Sequence, residues 1–320
     1  MNDQALATFD GVLARANMRG QWKSEEFLSK AIGGPRPAGA PGLWTWAQIS
    51  DLLDQAGRAM PESLQARRSL IFANPELPRG TTHTINMGVQ MIMPGEVAWA
   101  HRHSISALRF IIEGSPALTT IVDGEACSME DFDLVLTPNW TWHDHHNKSD
   151  KPVYWVDVLD VPLVLGLNQT FYEPGTGEDQ PVDARARHPA AILRYPWKDV
   201  APKLAAAPVT THDGRLFDYL DSAGGPTMPT LGCKAQALPP GFATAPRRRT
   251  SSAIYFVMQG EGVTECDGRE IRWGKNDCFA IPNWAKHRHV NLSASEDALL
   301  FSTHDSPVMQ ALGFFREELG

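Results

Sequence analysis

The chain has few cysteines, fewer basic than acidic residues, and no long apolar run. Its four cysteines show no C-x-x-C spacing, which argues against a disulfide framework or a zinc knuckle. A formal net charge of −8 argues against a nucleic-acid partner, because phosphate binding needs clustered lysine and arginine. No apolar run approaches the roughly 18 residues of a membrane span, and the polar N-terminus lacks a signal peptide's charged and apolar regions. We therefore expect a cytoplasmic chain with no nucleic-acid or membrane partner.

Histidines, in contrast, are grouped in a pattern that has a structural meaning. His101 and His103 alternate along the chain and precede an apolar run that ends at Gly114. Successive side chains of a strand point to opposite faces, so the two imidazoles share one face. A second histidine cluster follows a strand length away, and we take His143 from it as the third ligand. Imidazole suits iron, zinc, copper or nickel, so the pattern predicts a transition-metal site on a β-barrel without identifying the metal.

The chain also contains an internal duplication. Residues 282–291 echo residues 138–147, and an Asp-Gly pair recurs at the same offset, first at Asp123 and then at Asp267. A repeat of this length indicates two homologous domains, here two barrels. The content of 24 prolines, 26 glycines and 42% hydrophobic residues suits many short strands around two cores.

The second copy differs from the first at the metal positions. Counting back from the paired glycines, Arg247 and Arg249 occupy the places of His101 and His103. A guanidinium group stays protonated and cannot ligate a cation. We therefore expect the second barrel to have lost its metal, with His287 and His289 as relics or structural residues.

These features predict an all-β fold of two homologous barrels with an N-terminal helical layer. Apolar spacing is helical from about Asp3 to Leu28 and from Trp46 to Leu64. The expected domains are an N-terminal helical region (1–66), a metal-binding barrel (67–170), a connecting segment without strong periodicity (171–231), and a second barrel with a C-terminal helix (232–320).

The string from Gly88 through His101 and His103 to Arg109 and Gly114 resembles the bicupin family of gentisate 1,2-dioxygenases and their salicylate and hydroxynaphthoate relatives. The resemblance covers most of the chain. It implies a ring-cleaving dioxygenase that uses Fe(II) and dioxygen to open a 2-hydroxybenzoate between the carboxyl-bearing and hydroxyl-bearing carbons.

The ligand count agrees with that implication. The resemblance places the metal on His101, His103 and His143, and the glutamate that many cupins add is absent, since Ala107 and Leu108 stand there. Three neutral ligands leave the full charge of a ferrous ion uncompensated, which favours a chelating anionic substrate.

Further roles are implied for residues that flank the ligands. Arg109 is expected near the metal-bound oxygens, where a fixed cation stabilises developing negative charge, although it could be a buried salt-bridge partner instead. His145 is expected to handle protons or to hydrogen-bond a barrel carbonyl, and Gln90 to orient substrate or dioxygen. Asp157 aligns with a residue near the ring or holding His145.

Four residues are expected to contact the substrate. Arg67 or Arg68 is expected to pair with its carboxylate, unless the two form a solvated edge. Gly88 is expected to admit the ring against the backbone. Asn86 stands where relatives tend to carry an aromatic residue, so it either hydrogen-bonds a ring substituent or widens the pocket.

Two other classes of function stay open on sequence alone. One is a cupin metalloenzyme of different chemistry, such as an isomerase, or a dioxygenase acting on a β-diketone or thiol; the other is a non-catalytic cupin that binds aromatic acids. Oxygen uptake with iron and a 2-hydroxybenzoate would distinguish the ring-cleaving dioxygenase from these two classes. Exposed barrel sheets also favour a homodimer or homotetramer.

Overall fold

The computed structural model describes residues 3–24, 29, 31–60, 68–189 and 191–320. Two compact units are present, one ending at Arg36 and the other running from Pro37 to Gly320. The first contains helix α1, Asp3–Arg15, and a short 3-10 helix, Gln21–Ser24. The helix predicted from Asp3 to Leu28 therefore ends at Arg15. Residues 25–28 of that prediction lie outside the described residues. No helix in the described residues is long and apolar enough to cross a membrane.

The second unit begins with strand β1, Gly42–Trp44, and helix α2, Trp46–Ala59. The first barrel follows. Its strands are β2 (Arg68–Ile71), β3 (Asn86–Ile92), β4 (Val97–His103), β5 (Ala107–Glu113), β6 (Ser115–Val122), β7 (Glu125–Met129), β8 (Leu134–Thr137), β9 (His143–Asn147), β10 (Val153–Leu159), β11 (Tyr172–Pro174) and β12 (Arg194–Tyr195), with helix α3 (Val161–Gly166) after β10.

The rest of the chain forms helix α4 and the second barrel. The predicted absence of periodic structure between the barrels is wrong at α4, where Val200 and Leu204 bury one face of the helix. The elements are α4 (Trp197–Ala206), β13 (Arg215–Tyr219), β14 (Gly232–Leu238), β15 (Arg247–Arg249), β16 (Ala253–Gln259), β17 (Gly262–Cys266), β18 (Arg269–Trp273), β19 (Cys278–Ile281), β20 (His287–Asn291), β21 (Ala298–His304), α5 (Ser306–Ala311) and β22 (Glu317–Leu319).

Each barrel is built from a six-stranded and a five-stranded sheet, which confirms the bicupin prediction. The sheets of the first barrel have the orders β12-β8-β5-β10-β3-β2 and β11-β4-β9-β6-β7. Those of the second have the orders β1-β19-β16-β21-β14-β13 and β18-β17-β20-β15-β22. Strand β1 thus precedes the first barrel in sequence but pairs with β19 of the second. The domain boundaries predicted from the sequence stay a prediction.

The two six-stranded sheets pack against each other through their outer faces. Phe110 of β5 stacks on Phe301 of β21 with ring centroids 3.9 Å apart, at the centre of one large apolar cluster. Leu108 and Ile112 share that face of β5, whereas Arg109 and Ile111 point the other way, into the barrel. Burial on both faces explains why β5 is a nearly continuous apolar run. On the interior face, this run is interrupted by the charged side chain of Arg109.

Candidate functional site

The three predicted metal ligands lie together inside the first barrel. Ligand nitrogens of His101, His103 and His143 lie within 4.8 Å of one another. Strand pairing brings the set together, because β4 and β9 are antiparallel neighbours with His101 opposite His143. His103 follows on the same face of β4. The alternating pair and the distant third histidine thus form one site.

The same nitrogen of each ring, Nδ1, lies against a backbone carbonyl oxygen. Nδ1 of His101 lies 2.7 Å from the carbonyl oxygen of Trp99, and Nδ1 of His103 lies 2.7 Å from that of Ile105. Nδ1 of His143 is likewise 3.0 Å from the Thr141 carbonyl. A carbonyl oxygen only accepts, so each Nδ1 carries the proton and each Nε2 keeps its lone pair.

The surroundings keep His143 neutral. Burial, followed by the charge of Arg109 and then by the neighbouring histidines, holds the pKa of His143 well below its usual value. Its Nε2 is buried and has no hydrogen-bond partner among the residues that the structure describes. A neutral imidazole with an orphaned lone pair is what a transition metal requires. The donor set, three imidazole nitrogens without a carboxylate, therefore fits iron, zinc, copper or nickel.

A cavity of about 440 Å³ opens beside the histidines. That volume lies in the usual range of small-molecule sites, and most of the lining is apolar with a few polar groups. Its polar lining includes two of the metal ligands and four other residues predicted from the sequence: His101, His103, Gln90, Arg109, His145 and Asp157.

Arg109 and Asp157 form a buried pair in the wall of this cavity. They lie opposite each other on β5 and β10, with Arg109 Nε 3.8 Å from Asp157 Oδ1. Arg109 Nη1 also donates to Thr137 Oγ1 at 2.8 Å, which holds the guanidinium in place. Burial lowers the pKa of Arg109 and raises that of Asp157, and each partner opposes the shift of the other. Arg109 is therefore a buried salt-bridge partner that also faces the cavity, and its role toward reacting oxygens stays a prediction.

His145 is held by a hydroxyl group rather than by a barrel carbonyl. Thr120 Oγ1 donates to the sulfur of Met129 at 2.9 Å and lies 2.7 Å from His145 Nδ1. Nδ1 of His145 is thus engaged by the Thr120 hydroxyl, and Nε2 takes no part in this hydrogen bond. Burial and the charge of Arg109 hold the pKa of His145 well below its usual value. The ring packs on Trp155, with centroids 5.5 Å apart.

Of the two arginines expected to bind the substrate carboxylate, Arg68 does not line the cavity. Arg67 lies outside the described residues. Arg68 points away from the cavity lining, with Nη1 2.6 Å from Glu96 and Nε donating to the Met60 carbonyl at 2.8 Å. Its side chain is fully buried, so it is not a solvated edge either. Neighbours Ser69 and Ile71 line the cavity instead, because strand alternation turns Arg68 to the other face.

Gly88 and Asn86 also differ from expectation. A Cβ atom on Gly88 would lie 2.4 Å from the Leu70 carbonyl oxygen. The glycine therefore admits the backbone of the adjacent strand β2 rather than a substrate ring. Asn86 begins β3 outside the cavity lining, and its buried Oδ1 has no hydrogen-bond partner.

Sequence reasoning missed the aromatic side of the cavity. Thr170, Phe171 and Tyr172 reach it from the segment after α3, and Trp99 reaches it from β4. Tyr172 lies beside His101, with ring centroids 5.7 Å apart, because β11 pairs with β4. Two adjacent aromatic residues in a segment of turn-forming residues were a usable signal, since such residues rarely stay exposed without a role.

Comparison with known proteins gives consistent matches over nearly the whole chain. The cupin domain model matches residues 88–159 and 235–304. The chain is 43% identical to 1-hydroxy-2-naphthoate 1,2-dioxygenase of Nocardioides sp. (strain KP7), over 98% of this chain and 87% of that protein. It is 37% identical to gentisate 1,2 dioxygenase 1 of Aquipseudomonas alcaligenes, over 88% of each. The crystal structure of salicylate 1,2-dioxygenase from Pseudaminobacter salicylatoxidans superimposes with a TM-score of 0.88 at 27% identity, covering 98% of this chain and 97% of that one.

Proposed function

Because this chain belongs to the gentisate 1,2-dioxygenase family of bicupin ring-cleaving enzymes, we propose that it uses ferrous iron to open a 2-hydroxybenzoate. The bond cleaved would join the carboxyl-bearing and hydroxyl-bearing carbons, and the substrate would be gentisate or a related salicylate. The supporting observation is one cavity that combines a three-histidine cluster with a fixed cation, Arg109.

Iron would be held by the Nε2 atoms of His101, His103 and His143. Three neutral ligands add no negative charge, so the carboxylate and ortho-oxygen of the substrate would complete the electrostatic balance. When bound, ferrous iron supplies the electron transfer that lets dioxygen react with an aromatic ring, which zinc cannot do. The proposal therefore requires iron rather than any metal that fits three imidazoles.

Three other side chains would position the reactants. The guanidinium of Arg109 would stabilise negative charge on the reacting oxygens, since it is already desolvated and held by Thr137 and Asp157. His145 would hold or move a proton at Nε2, the ring nitrogen that Thr120 does not engage. Gln90, on the interior face of β3, would orient the substrate or dioxygen.

The aromatic ring of the substrate would lie against the apolar side of the cavity. Ile71, Phe171 and Tyr172 line that side. A cavity of about 440 Å³ has room for a bicyclic hydroxy acid as well as for a benzoate, because an apolar cavity of about 150 Å³ already holds benzene. We therefore include 1-hydroxy-2-naphthoate among the substrates to be tested.

The test is anaerobic reconstitution with Fe(II), followed by oxygen uptake and ultraviolet spectra. The substrates are gentisate, salicylate, 5-nitrosalicylate and 1-hydroxy-2-naphthoate. We expect one dioxygen consumed per ring opened with at least one of them, and no ring opening in the zinc form. Binding of an aromatic acid to fully iron-loaded protein without oxygen uptake would favour a non-catalytic cupin and overturn the proposal for these substrates.

A matched pair of variants on β9 separates metal loss from damage to the strand. His143→Gln removes a ligand, whereas His146→Gln alters a histidine on the opposite face, where it bonds to Asp144 at 3.1 Å. We expect His143→Gln to lose bound iron and oxygen uptake, and His146→Gln to keep both. Equal iron content in the two variants would contradict the ligand assignment.

We also propose that the chain forms a homodimer or homotetramer. The support is a set of large apolar side chains near the C-terminus that are 58 to 62% exposed: Leu312, Phe314 and Leu319. Isologous packing buries such surface. Sedimentation of the iron-loaded protein measures the state directly, and a monomer would refute this part. The cytoplasmic location stays a prediction.

A further inference from the structure

The second barrel contains a polar cavity at the place where the first barrel holds its histidine cluster. The register shows the equivalence, because Arg247 lies opposite His287 as His101 lies opposite His143. Both Arg247 and Arg249 line this cavity. The duplicated strand thus brings two guanidinium groups to the position of two metal ligands.

Cations outnumber acids in the lining of the cavity. Arg247, Arg249 and Lys234 line it, and the acidic residue among the lining residues is Asp213. Asp213 pairs with Arg247 at 2.9 Å. The other two cations have partners outside the lining, Glu317 at 2.6 Å from Arg249 and Asp218 at 2.5 Å from Lys234. The barrel interior therefore presents cationic groups that are held in place by carboxylates on its rim.

The hydrogen bonds around His289, the counterpart of His145, indicate which of its ring nitrogens carries the proton. Thr264 Oγ1 accepts from Trp273 Nε1 at 2.9 Å and lies 2.8 Å from His289 Nδ1. Thr264 is fully buried, so its hydroxyl proton needs an acceptor, and Nδ1 of His289 is within reach. His289 therefore carries its own proton on Nε2.

Two further ring nitrogens nearby lack partners among the described residues, Nδ1 of His304 and Nε2 of His212. Both residues line the cavity. Burial, with Lys234 and Arg249, lowers the pKa of His304 to about 3, and burial with the two arginines contributes to a pKa of about 4 for His287. These shifts agree with a positive potential inside the barrel.

We propose that the interior of the second barrel is a binding site for one compact oxyanion, held by Arg249, Arg247 and the Nε2–H of His289. The cavity volume of about 40 Å³ sets the size of the occupant. It corresponds to roughly three water molecules and is far below the roughly 150 Å³ that a benzene ring occupies in an apolar cavity. A carboxylate group or a tetrahedral oxyanion fits, whereas an aromatic acid does not. The site is distinct from the ring-cleaving site and does not depend on it.

The experiment measures the melting temperature of the iron-loaded protein against added anion, with ionic strength held constant by sodium gluconate. Phosphate and selenate test tetrahedral oxyanions, formate and acetate test carboxylates, and benzoate tests the size limit. We expect at least one compact anion to raise the melting temperature by roughly 3–6 °C at saturation, and benzoate to have no effect through this site.

Adjacent arginines on β15 provide the matched variants. Arg249→Met removes a cation that lines the cavity, whereas Arg248→Met removes one that points outward, where it pairs with Glu318 at 2.6 Å and stacks on Trp284. We expect the anion-dependent shift to vanish in Arg249→Met and to persist in Arg248→Met. No shift in the natural protein, or equal shifts in the two variants, would overturn the proposal.

A direct location of the ion keeps the test decisive even where Arg249→Met fails to fold. Lys234→Met changes a second lining residue and should weaken binding at least threefold. Crystals soaked in selenate should show an anomalous peak inside the second barrel. If selenate raises the melting temperature, a peak found elsewhere with an empty second barrel refutes the site.

Discussion

Replacing Arg109 by methionine tests how the first barrel uses its buried cation. The guanidinium lies 3.8 Å from Asp157 and 2.8 Å from Thr137, and the residue is 4% exposed. Methionine keeps most of the apolar stem and removes the charge. If the cation stabilises charge on reacting oxygens, its loss should lower kcat by about 10²- to 10³-fold, or about 3–4 kcal/mol.

The same substitution should also destabilise the fold, because it leaves Asp157 buried without its partner. Loss of one member of a buried ion pair costs about 3–5 kcal/mol. Asp157→Asn in the Arg109→Met background removes the stranded charge and should recover part of that loss. It should recover no activity, since the cation is still missing. Stability and catalysis are thereby separated in one double-mutant cycle.

The pH dependence of stability has a defined sign. Burial raises the pKa of Asp157 above its unfolded value, and Arg109 opposes that shift, so removing Arg109 raises the pKa further. The stability that protonated Asp157 contributes is present below the unfolded pKa and is lost as pH rises through the folded pKa. The gap in melting temperature between Arg109→Met and the natural protein should therefore widen as pH rises from the unfolded pKa of Asp157 toward its raised folded pKa in the variant. The double variant should not show this widening.

The assays are oxygen uptake, iron content and thermal unfolding, with Arg102→Met as control. Arg102 lies on β4 between two metal ligands, but its guanidinium stacks on Trp140 and Trp142 and pairs with Glu173 at 2.6 Å. We expect its loss to change kcat less than threefold. The reasoning fails if Arg109→Met keeps kcat/KM within threefold at full iron loading, or if the double variant regains activity.

Two further predictions concern residues that sequence reasoning assigned to the substrate. Arg68→Met should lower stability by about 3–5 kcal/mol because it leaves Glu96 without its ion-pair partner, and it should not change KM for the substrate. The control Arg58→Met removes an exposed arginine and should change neither stability nor KM. A raised KM at unchanged melting temperature in Arg68→Met would restore the substrate role. Gly88→Ala should lose about 1–3 kcal/mol, because its methyl group meets the Leu70 carbonyl at 2.4 Å. Gly57→Ala, on helix α2, meets only the flexible end of Met91 and should be neutral or stabilising, so equal losses in the two glycine variants would contradict the steric argument.

Several features of the site were predictable because they depend on short-range periodicity. Alternation along β4 places His101 and His103 on one face whatever the rest of the chain does. The constant offset of the duplication likewise placed Arg247 at the position of His101, and the strand register agrees.

The interior position of Arg109 does not follow from strand alternation. A count of even positions from His103 to Arg109 passes through residues 104–106, where the chain turns between β4 and β5. Periodicity is lost at a turn, so the count carries no information across it. Arg109 faces the cavity because β5 pairs with β10, which sets it opposite Asp157.

The sequence by itself determined that the chain is a duplicated β-barrel protein, which histidines share a face, and that the second copy carries arginines in their place. Only the tertiary structure decided that Arg68 pairs with Glu96 and that the backbone of β2 runs close beside Gly88. It also decided that Phe171 and Tyr172 complete the cavity. The physical reason is range. Side-chain alternation is a property of one strand, whereas these contacts join segments whose approach is set by sheet pairing and by packing between sheets.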